Sequence, residues 1–174
     1  SLMYFGHDIE KLYILNGGLK KWKQENKVLS IKKTNVVKSN YRAFKKDNYV
    51  FKMSQINENI NSNNFVVVDA RSFKRFNGEI EEPRKGLRKG HIKNSLCLPY
   101  GECINQTTNE FKTNYELKLI FEELIKKRNN NKFIFTCGSG VTASVLAYAY
   151  KMINNEYEPI IYDGSWSEYG KYSP

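Results

Sequence analysis

Cysteine is scarce in this 174-residue chain: Cys97, Cys103 and Cys137 are its three thiols, and they form neither a Cys-x-x-Cys pair nor any metal-ligand spacing. That argues against a disulfide-stapled scaffold or a cysteine-based metal site, and an odd, sparse set of thiols fits a reducing compartment. Long apolar runs are missing as well, with no window approaching the roughly eighteen residues that a membrane helix needs. The first residues, Ser1-Leu2-Met3-Tyr4-Phe5-Gly6-His7, have neither the charged start nor the apolar core of a signal peptide. Acidic residues are in short supply, 18 against 28 Lys and Arg, for a formal net charge of +10. Such an excess fits nucleic acid, a membrane surface or small anionic substrates. The basic residues are scattered among asparagines, however, and Arg84-Lys85-Gly86-Leu87-Arg88-Lys89 is the one dense group. Most of the charge therefore reads as solvated surface, and neither a nucleic-acid nor a membrane partner is expected.

What is present suits one domain, or one domain with a tail, since hydrophobic residues make up 40% of the chain. Lys11 to Trp22 reads as a strand-like run, a Gly-Gly turn and a short helical pattern. Asn26 to Asn48 reads as an extended linker over the surface, which Val36, Val37, Tyr41 and Phe44 would anchor. Tyr49-Val50-Phe51 is a short strand candidate. Ser54 is placed to cap a brief helix carrying Ile56 and Ile60, which the Asn-rich tract from Asn57 to Asn64 ends. Phe65-Val66-Val67-Val68-Asp69-Ala70 is the continuous apolar run of a strand buried on both faces; Leu96-Cys97-Leu98-Pro99 and Ile160-Ile161-Tyr162 are two more strands. Thr113 and Glu116 form a capping-box pair ahead of Leu117, Ile120, Phe121, Leu124 and Ile125. Lys126 to Arg128 complement that helix's dipole, and Asn129 to Asn131 stop it. Short strands alternating with helices imply an α/β domain with a mainly parallel central sheet and helices on both faces.

In such a sheet, ligands bind at the carboxyl ends of strands, where Asp69, Cys137 and Asp163 fall. Phe133-Ile134-Phe135 reads as a buried strand, followed by Thr136-Cys137-Gly138-Ser139-Gly140 and a segment whose Val141, Val145, Tyr148 and Met152 share one helical face. The two glycines let the backbone curl so that successive N–H groups face whatever Cys137 carries. A loop entering a helix N-terminus favours negative charge, and a thiolate is the reactive form of cysteine. On residue type alone, a strand-end cysteine is equally a small buried hydrophobe; Gly138 and Gly140 weigh against that.

Six motifs then occur in order: Val68-Asp69-Ala70-Arg71, Arg75-Phe76-Asn77-Gly78, Glu82-Pro83-Arg84, Gly90-His91-Ile92, Cys137-Gly138-Ser139-Gly140-Val141-Thr142-Ala143 and Asp163-Gly164-Ser165-Trp166. Together they resemble the C-terminal catalytic domain of two-domain rhodanese-type sulfurtransferases, over roughly residues 40 to 170, and the cysteine loop resembles the 3-mercaptopyruvate branch. The resemblance implies a rhodanese-like domain over 49–174, a linker over 26–48 and the tail of a truncated first rhodanese domain over 1–25, with Asn16 where an Asp is usual. It implies that Cys137 takes sulfur from 3-mercaptopyruvate as a persulfide, releases pyruvate and passes the sulfur to a small thiol or a thioredoxin-like protein, without cofactor or metal. Gly138, Gly140, Val141 and Thr142 would supply amides to the sulfur. Arg75 and Arg84 would grip the carboxylate and keto oxygen, and Ser139 would pass protons, together with an Asp and a His of the first domain; His7 is not assigned to that role. The implied location is cytoplasmic, with the mitochondrion as the alternative.

Other residues take supporting parts under the same resemblance. His91 would fix a loop by a hydrogen bond, Arg71 would pair internally with Asp69, and Asp163 and Trp166 would shape the wall beside the loop. Lys85, Arg88 and Lys89 would add general positive potential, Cys97 would be inert and Cys103 exposed. Ser144 stands where a cysteine is common and leaves the loop amides intact, whereas Lys93-Asn94 replaces a Pro-Gly and puts that turn in question. Three rivals follow. Thiosulfate:cyanide sulfurtransferases carry basic side chains in the loop, which Gly138-Ser139-Gly140 does not supply. Rhodanese-fold phosphatases need Cys-x5-Arg, and Ala143 occupies the arginine's place. A sulfur-relay or binding module without turnover is the third.

Overall fold

The computed structural model describes residues 1–128, 130 and 132–171. Asn129 and Asn131 of the expected helix stop, and the last three residues of the expected catalytic domain, lie outside the described residues. Five strands, β1 (Val50–Phe51), β2 (Val66–Asp69), β3 (Leu96–Cys97), β4 (Phe133–Thr136) and β5 (Ile161–Tyr162), form one sheet in the order β1-β5-β4-β2-β3. Every pairing is parallel, and β2 against β4 is the longest register, from Val66 opposite Phe133 to Asp69 opposite Thr136. The alternation of side chains across a strand explains the two cores. Val66, Val68, Phe133 and Phe135 face α4 (Asn114–Arg128) and α5 (Ala143–Ile153), while Val67 and Ile134 face α2 (Met53–Ser62) and α6 (Ser165–Tyr169). Both faces of β2 and β4 are thus covered, which is why these strands read as unbroken apolar runs.

The α4 helix begins as expected: Glu116 N–H donates to Thr113 Oγ1 at 3.3 Å and Thr113 N–H to Glu116 Oε2 at 2.9 Å, and Leu117, Phe121 and Leu124 are buried. The start of α2 differs. Ser54 lies inside the helix, and Gln55 Oε1 accepts the Lys52 N–H at 2.9 Å instead. Asn63, with φ of 51°, ends that helix within the asparagine tract. Asn94 likewise adopts a φ of 64°, and its Nδ2 donates to Ile60 O at 3.0 Å. Asparagine therefore supplies the left-handed turn that the Lys93-Asn94 pair had put in question.

The N-terminal region departs most from expectation. Ile9–Lys11 is a single 3-10 turn, no strand follows it, and α1 (Gly18–Gln24) comes after the glycines. This segment is tied to the 105–111 loop: Phe111 N–H donates to Asn16 Oδ1 at 2.9 Å and Lys21 pairs with Glu110. Val36 and Val37 do not anchor the linker, being 88% and 87% exposed. Its end is held by backbone bonds from Phe44 N–H to Phe5 O and Lys46 N–H to Tyr4 O.

The helical face read from Val141, Val145, Tyr148 and Met152 is not the core face of α5. Val141 is 72% exposed, and the helix buries Ala143, Leu146, Ala147, Ala149 and Tyr150 instead. A helix packed on a sheet can use small residues for close approach, so alanines mark the buried side here. The other side borders a cavity of about 420 Å³ lined by Leu2, Leu12, Ile14 and Tyr148. Leu146→Ala is expected to lower unfolding free energy by about 2–5 kcal/mol and Val141→Ala to change it by less than about 0.5 kcal/mol, both read from urea denaturation.

Candidate active site

Cys137 follows the last residue of β4, where the chain leaves the sheet and turns back towards α5. The loop's carbonyls are claimed by the start of α6, since Trp166 N–H donates to Cys137 O and Ser167 N–H to Gly138 O, each at 2.9 Å. Its amides face elsewhere. Ser139 N–H donates to Cys137 Sγ at 3.4 Å, and hydrogen bonds from the Thr142 hydroxyl and the Thr142 and Ala143 amides also reach the sulfur. Gly140 adopts a φ of 80°, and a Cβ there would stand 2.5 Å from Asp163 Oδ1, so only glycine fits. Its N–H, expected to face the sulfur, is held by Ser165 Oγ at 3.0 Å.

Burial is the largest single influence on the Cys137 thiol and pushes its pKa up. The Thr142 hydroxyl and the three amides together outweigh burial and hold it below the ordinary thiol value. Cys97 and Cys103 lack such donors, and burial pushes both up to about 12. Cys103, expected to be exposed, is fully buried because its short 3-10 turn tucks the thiol under the sheet's α4–α5 side. Cys97 donates to Arg71 O at 3.4 Å.

Two guanidiniums reach the loop from outside it. A Cβ on Gly138 would stand 3.0 Å from Arg75 Nη2 and 3.6 Å from Arg84 Nη1, so the residue after the cysteine is glycine where both arginines crowd in. Arg75 comes from α3 (Phe73–Phe76), which Ser72 caps by accepting the Arg75 N–H. Its guanidinium is fixed by Glu82, whose Oε1 accepts Nε at 3.2 Å and whose Oε2 accepts Nη2 at 2.5 Å. Glu82 in turn accepts from Arg71 Nη1 at 2.8 Å. Arg71 and Asp69 pair as expected, through Nε and Nη2, and the Arg71 guanidinium also lies 4.4 Å from the Trp166 ring centre.

The remaining expectations divide. His91 Nδ1 bonds to Phe76 O at 2.9 Å, which requires the proton on that nitrogen, and its ring stacks on Phe76; this is the structural part expected of it. Trp166 and Asp163 do border the loop. Arg88, by contrast, stacks over Trp166 at 4.7 Å rather than adding loose potential, and Lys89 pairs with Glu81 at 2.7 Å. His7 lies against Tyr41, in a cavity lined by Met3, Asp8, Lys46 and Tyr49, and is not brought to Cys137. Ser139 is half-buried. Among the described residues no group of three His, Cys, Asp or Glu is placed to hold a metal ion. Sequence reasoning gave no role to Glu82, Ser165, the Thr142 hydroxyl or the Ala143 amide. Glu82 carried a signal, as an acid between two arginines otherwise left unpaired.

Residues 52–172 match the family model described as "Rhodanese-like domain". The chain belongs to the rhodanese-like domain family. It is 37% identical over 166 residues to human "3-mercaptopyruvate sulfurtransferase", covering 95% of this chain and 54% of that protein. It is 33% identical over 172 residues to the Gallus gallus "Thiosulfate sulfurtransferase", covering 98% of this chain and 56% of that one. The crystal structure of SseA from Escherichia coli, described as a 3-mercaptopyruvate sulfotransferase, superposes with a TM-score of 0.76 at 33% identity, covering 96% of this chain and 60% of SseA. The chain thus spans about half the length of the curated relatives it matches. Within this rhodanese fold, loss of Arg71 leaves the buried Asp69 carboxylate without its cation and Glu82 with Arg75 alone. Arg71→Ala is expected to destabilise the protein by about 3–5 kcal/mol, read from Trp fluorescence during urea unfolding.

Proposed function

We propose that this chain carries the sulfur-transfer chemistry of a 3-mercaptopyruvate sulfurtransferase. The Cys137 thiolate attacks the donor's sulfur, an S–S bond forms and the donor's C–S bond breaks. The carbon leaves as the enolate of pyruvate and takes up the proton that the donor thiol gives up, with Ser139 as its relay in this reading. The enzyme is left with a Cys137 persulfide, and a small thiol or thioredoxin-like acceptor removes the outer sulfur. The observation that carries this reading is the meeting, at Gly138, of two guanidiniums with a thiol whose pKa is held below its ordinary value. Arginine forks suit the donor's carboxylate and keto oxygen, while the Ser139, Thr142 and Ala143 amides suit both thiolate and persulfide.

The relatives' names offer two donors, and charge separates them. Arg75 is already paired with Glu82 at 2.5 Å, and Asp163 stands beside Gly140. The positive charge left at the loop comes mainly from Arg84, which favours a monocarboxylate over a dianion such as thiosulfate. We place the catalytic domain at 49–174, the linker at 26–48 and the tail of a preceding rhodanese domain at 1–25. The exposed Val141 in the loop suits contact with that domain. A cytoplasmic location, with the mitochondrion as alternative, fits three free thiols. No helix among the described residues is long and apolar enough to cross a membrane.

Mass spectrometry after adding 3-mercaptopyruvate is expected to find one extra sulfur on Cys137 and none in Cys137→Ser. Arg75→Leu and Arg84→Leu are each expected to raise KM roughly tenfold or more, the size of a lost charged hydrogen bond. Persulfide still forming in Cys137→Ser, or turnover with thiosulfate equal to that with 3-mercaptopyruvate, would contradict the reading.

A further inference from the structure

Ser165 is fully buried and has a φ of 51°, a backbone region that residues with a side chain seldom adopt and that glycine enters freely. A serine kept in glycine's place points to a use for its hydroxyl. That hydroxyl is fully engaged. It donates to Tyr162 O at 2.8 Å, and its oxygen accepts the Cys137 N–H at 3.2 Å and the Gly140 N–H at 3.0 Å, with Thr136 Oγ1 also at 3.2 Å. One hydroxyl has one proton and two lone pairs, so the two loop amides are gathered onto a single atom at the end of β5.

We infer that Ser165 is the positioning residue of the Cys137 loop: its hydroxyl is the post around which residues 137–140 are wound, and it leaves the Ser139, Thr142 and Ala143 donors to face the sulfur. The two amides it takes flank the turn, and the loop's carbonyls are held by the next two amides of the same segment, Trp166 and Ser167. The β5–α6 junction therefore fixes which way each peptide of the loop points, without touching the sulfur itself. This rests on Cys137 being the nucleophile and goes beyond it, because it names what orients the donors. The charged groups around the loop, Arg75 and Arg84 beside Gly138 and Asp163 beside Gly140, are the same in every variant of the test.

Two variants separate the hydroxyl from the backbone. Ser165→Ala removes the hydroxyl and keeps the unfavourable φ, whereas Ser165→Gly removes the hydroxyl and relieves the φ. The readout is the pH dependence of alkylation by iodoacetamide, mapped to Cys137 by mass spectrometry. Cys97 and Cys103 stay silent near neutral pH because their pKa values are pushed up to about 12. Both variants are expected to react more slowly at neutral pH, on the order of tenfold for each unit by which the thiol pKa rises, with profiles moved to higher pH. The thermal midpoint is expected to be higher for Ser165→Gly than for Ser165→Ala. Should the alanine variant fail to fold, the glycine variant carries the test. Wild-type profiles in both variants would overturn the inference. So would reactivity restored by glycine but not by alanine, or a profile moved to lower pH because the freed Gly140 amide turns to the sulfur. A wild-type Cys137 no faster than a free thiol at neutral pH would overturn the sulfur-transfer reading as well, which keeps the two failures apart.

Discussion

The guanidinium of Arg71, with no solvent exposure, ties together three separate stretches of chain. It holds Asp69 at the end of β2, Glu82 and the Gly90 carbonyl in the long loop, and the Trp166 ring in α6. A charge in that position has surrendered its hydration, so it is stable only while all of its partners are in place. Because Glu82 is shared with Arg75, the same arrangement sets where Arg75 meets Gly138. Arg75 itself belongs to the short helix α3, and the long loop between α3 and β3, which has little regular structure, supplies the Glu82 that fixes its guanidinium. Such an ion network contributes less to net stability than to having one arrangement only, and that is what the proposed carboxylate grip would require.

The three cysteines show which physical effect decides thiol chemistry in this fold. All are shielded, and burial pushes each of them up. For Cys97 and Cys103 nothing of comparable size opposes it. For Cys137 a hydroxyl and three amides do, and their combined effect exceeds desolvation. The difference is therefore one of donors within reach of sulfur, not of exposure. Those donors exist because the parallel sheet delivers the loop to the start of α5, where backbone N–H groups have no intrahelical partners.

Much of this was legible in the sequence. The apolar runs at β2 and β4, the Thr113–Glu116 box and the Arg71–Asp69 pair follow from local pattern and appear where expected. What escaped had tertiary causes. The buried face of α5 is built on alanines, which weigh little in a periodicity argument beside Val141 and Tyr148. The run at Leu12–Leu15 has strand-like residues but, among the described residues, no neighbouring strand to pair with. Cys103 looked polar from its neighbours, and its burial is set by helices distant in sequence. Ser165 could not be singled out, since a serine after Asp-Gly looks like any turn residue until its hydroxyl is seen against Cys137 and Gly140.

The proposed sulfur transfer requires a donor whose carboxylate lies with Arg75 and Arg84 while its sulfur faces Cys137. A crystal structure of the Cys137→Ala variant soaked with 3-mercaptopyruvate tests that directly. The predicted result is the carboxylate between the two guanidiniums beside Gly138, with the sulfur over the amides of Ser139, Thr142 and Ala143. A donor bound away from both arginines, or with its sulfur turned from residue 137, would contradict it.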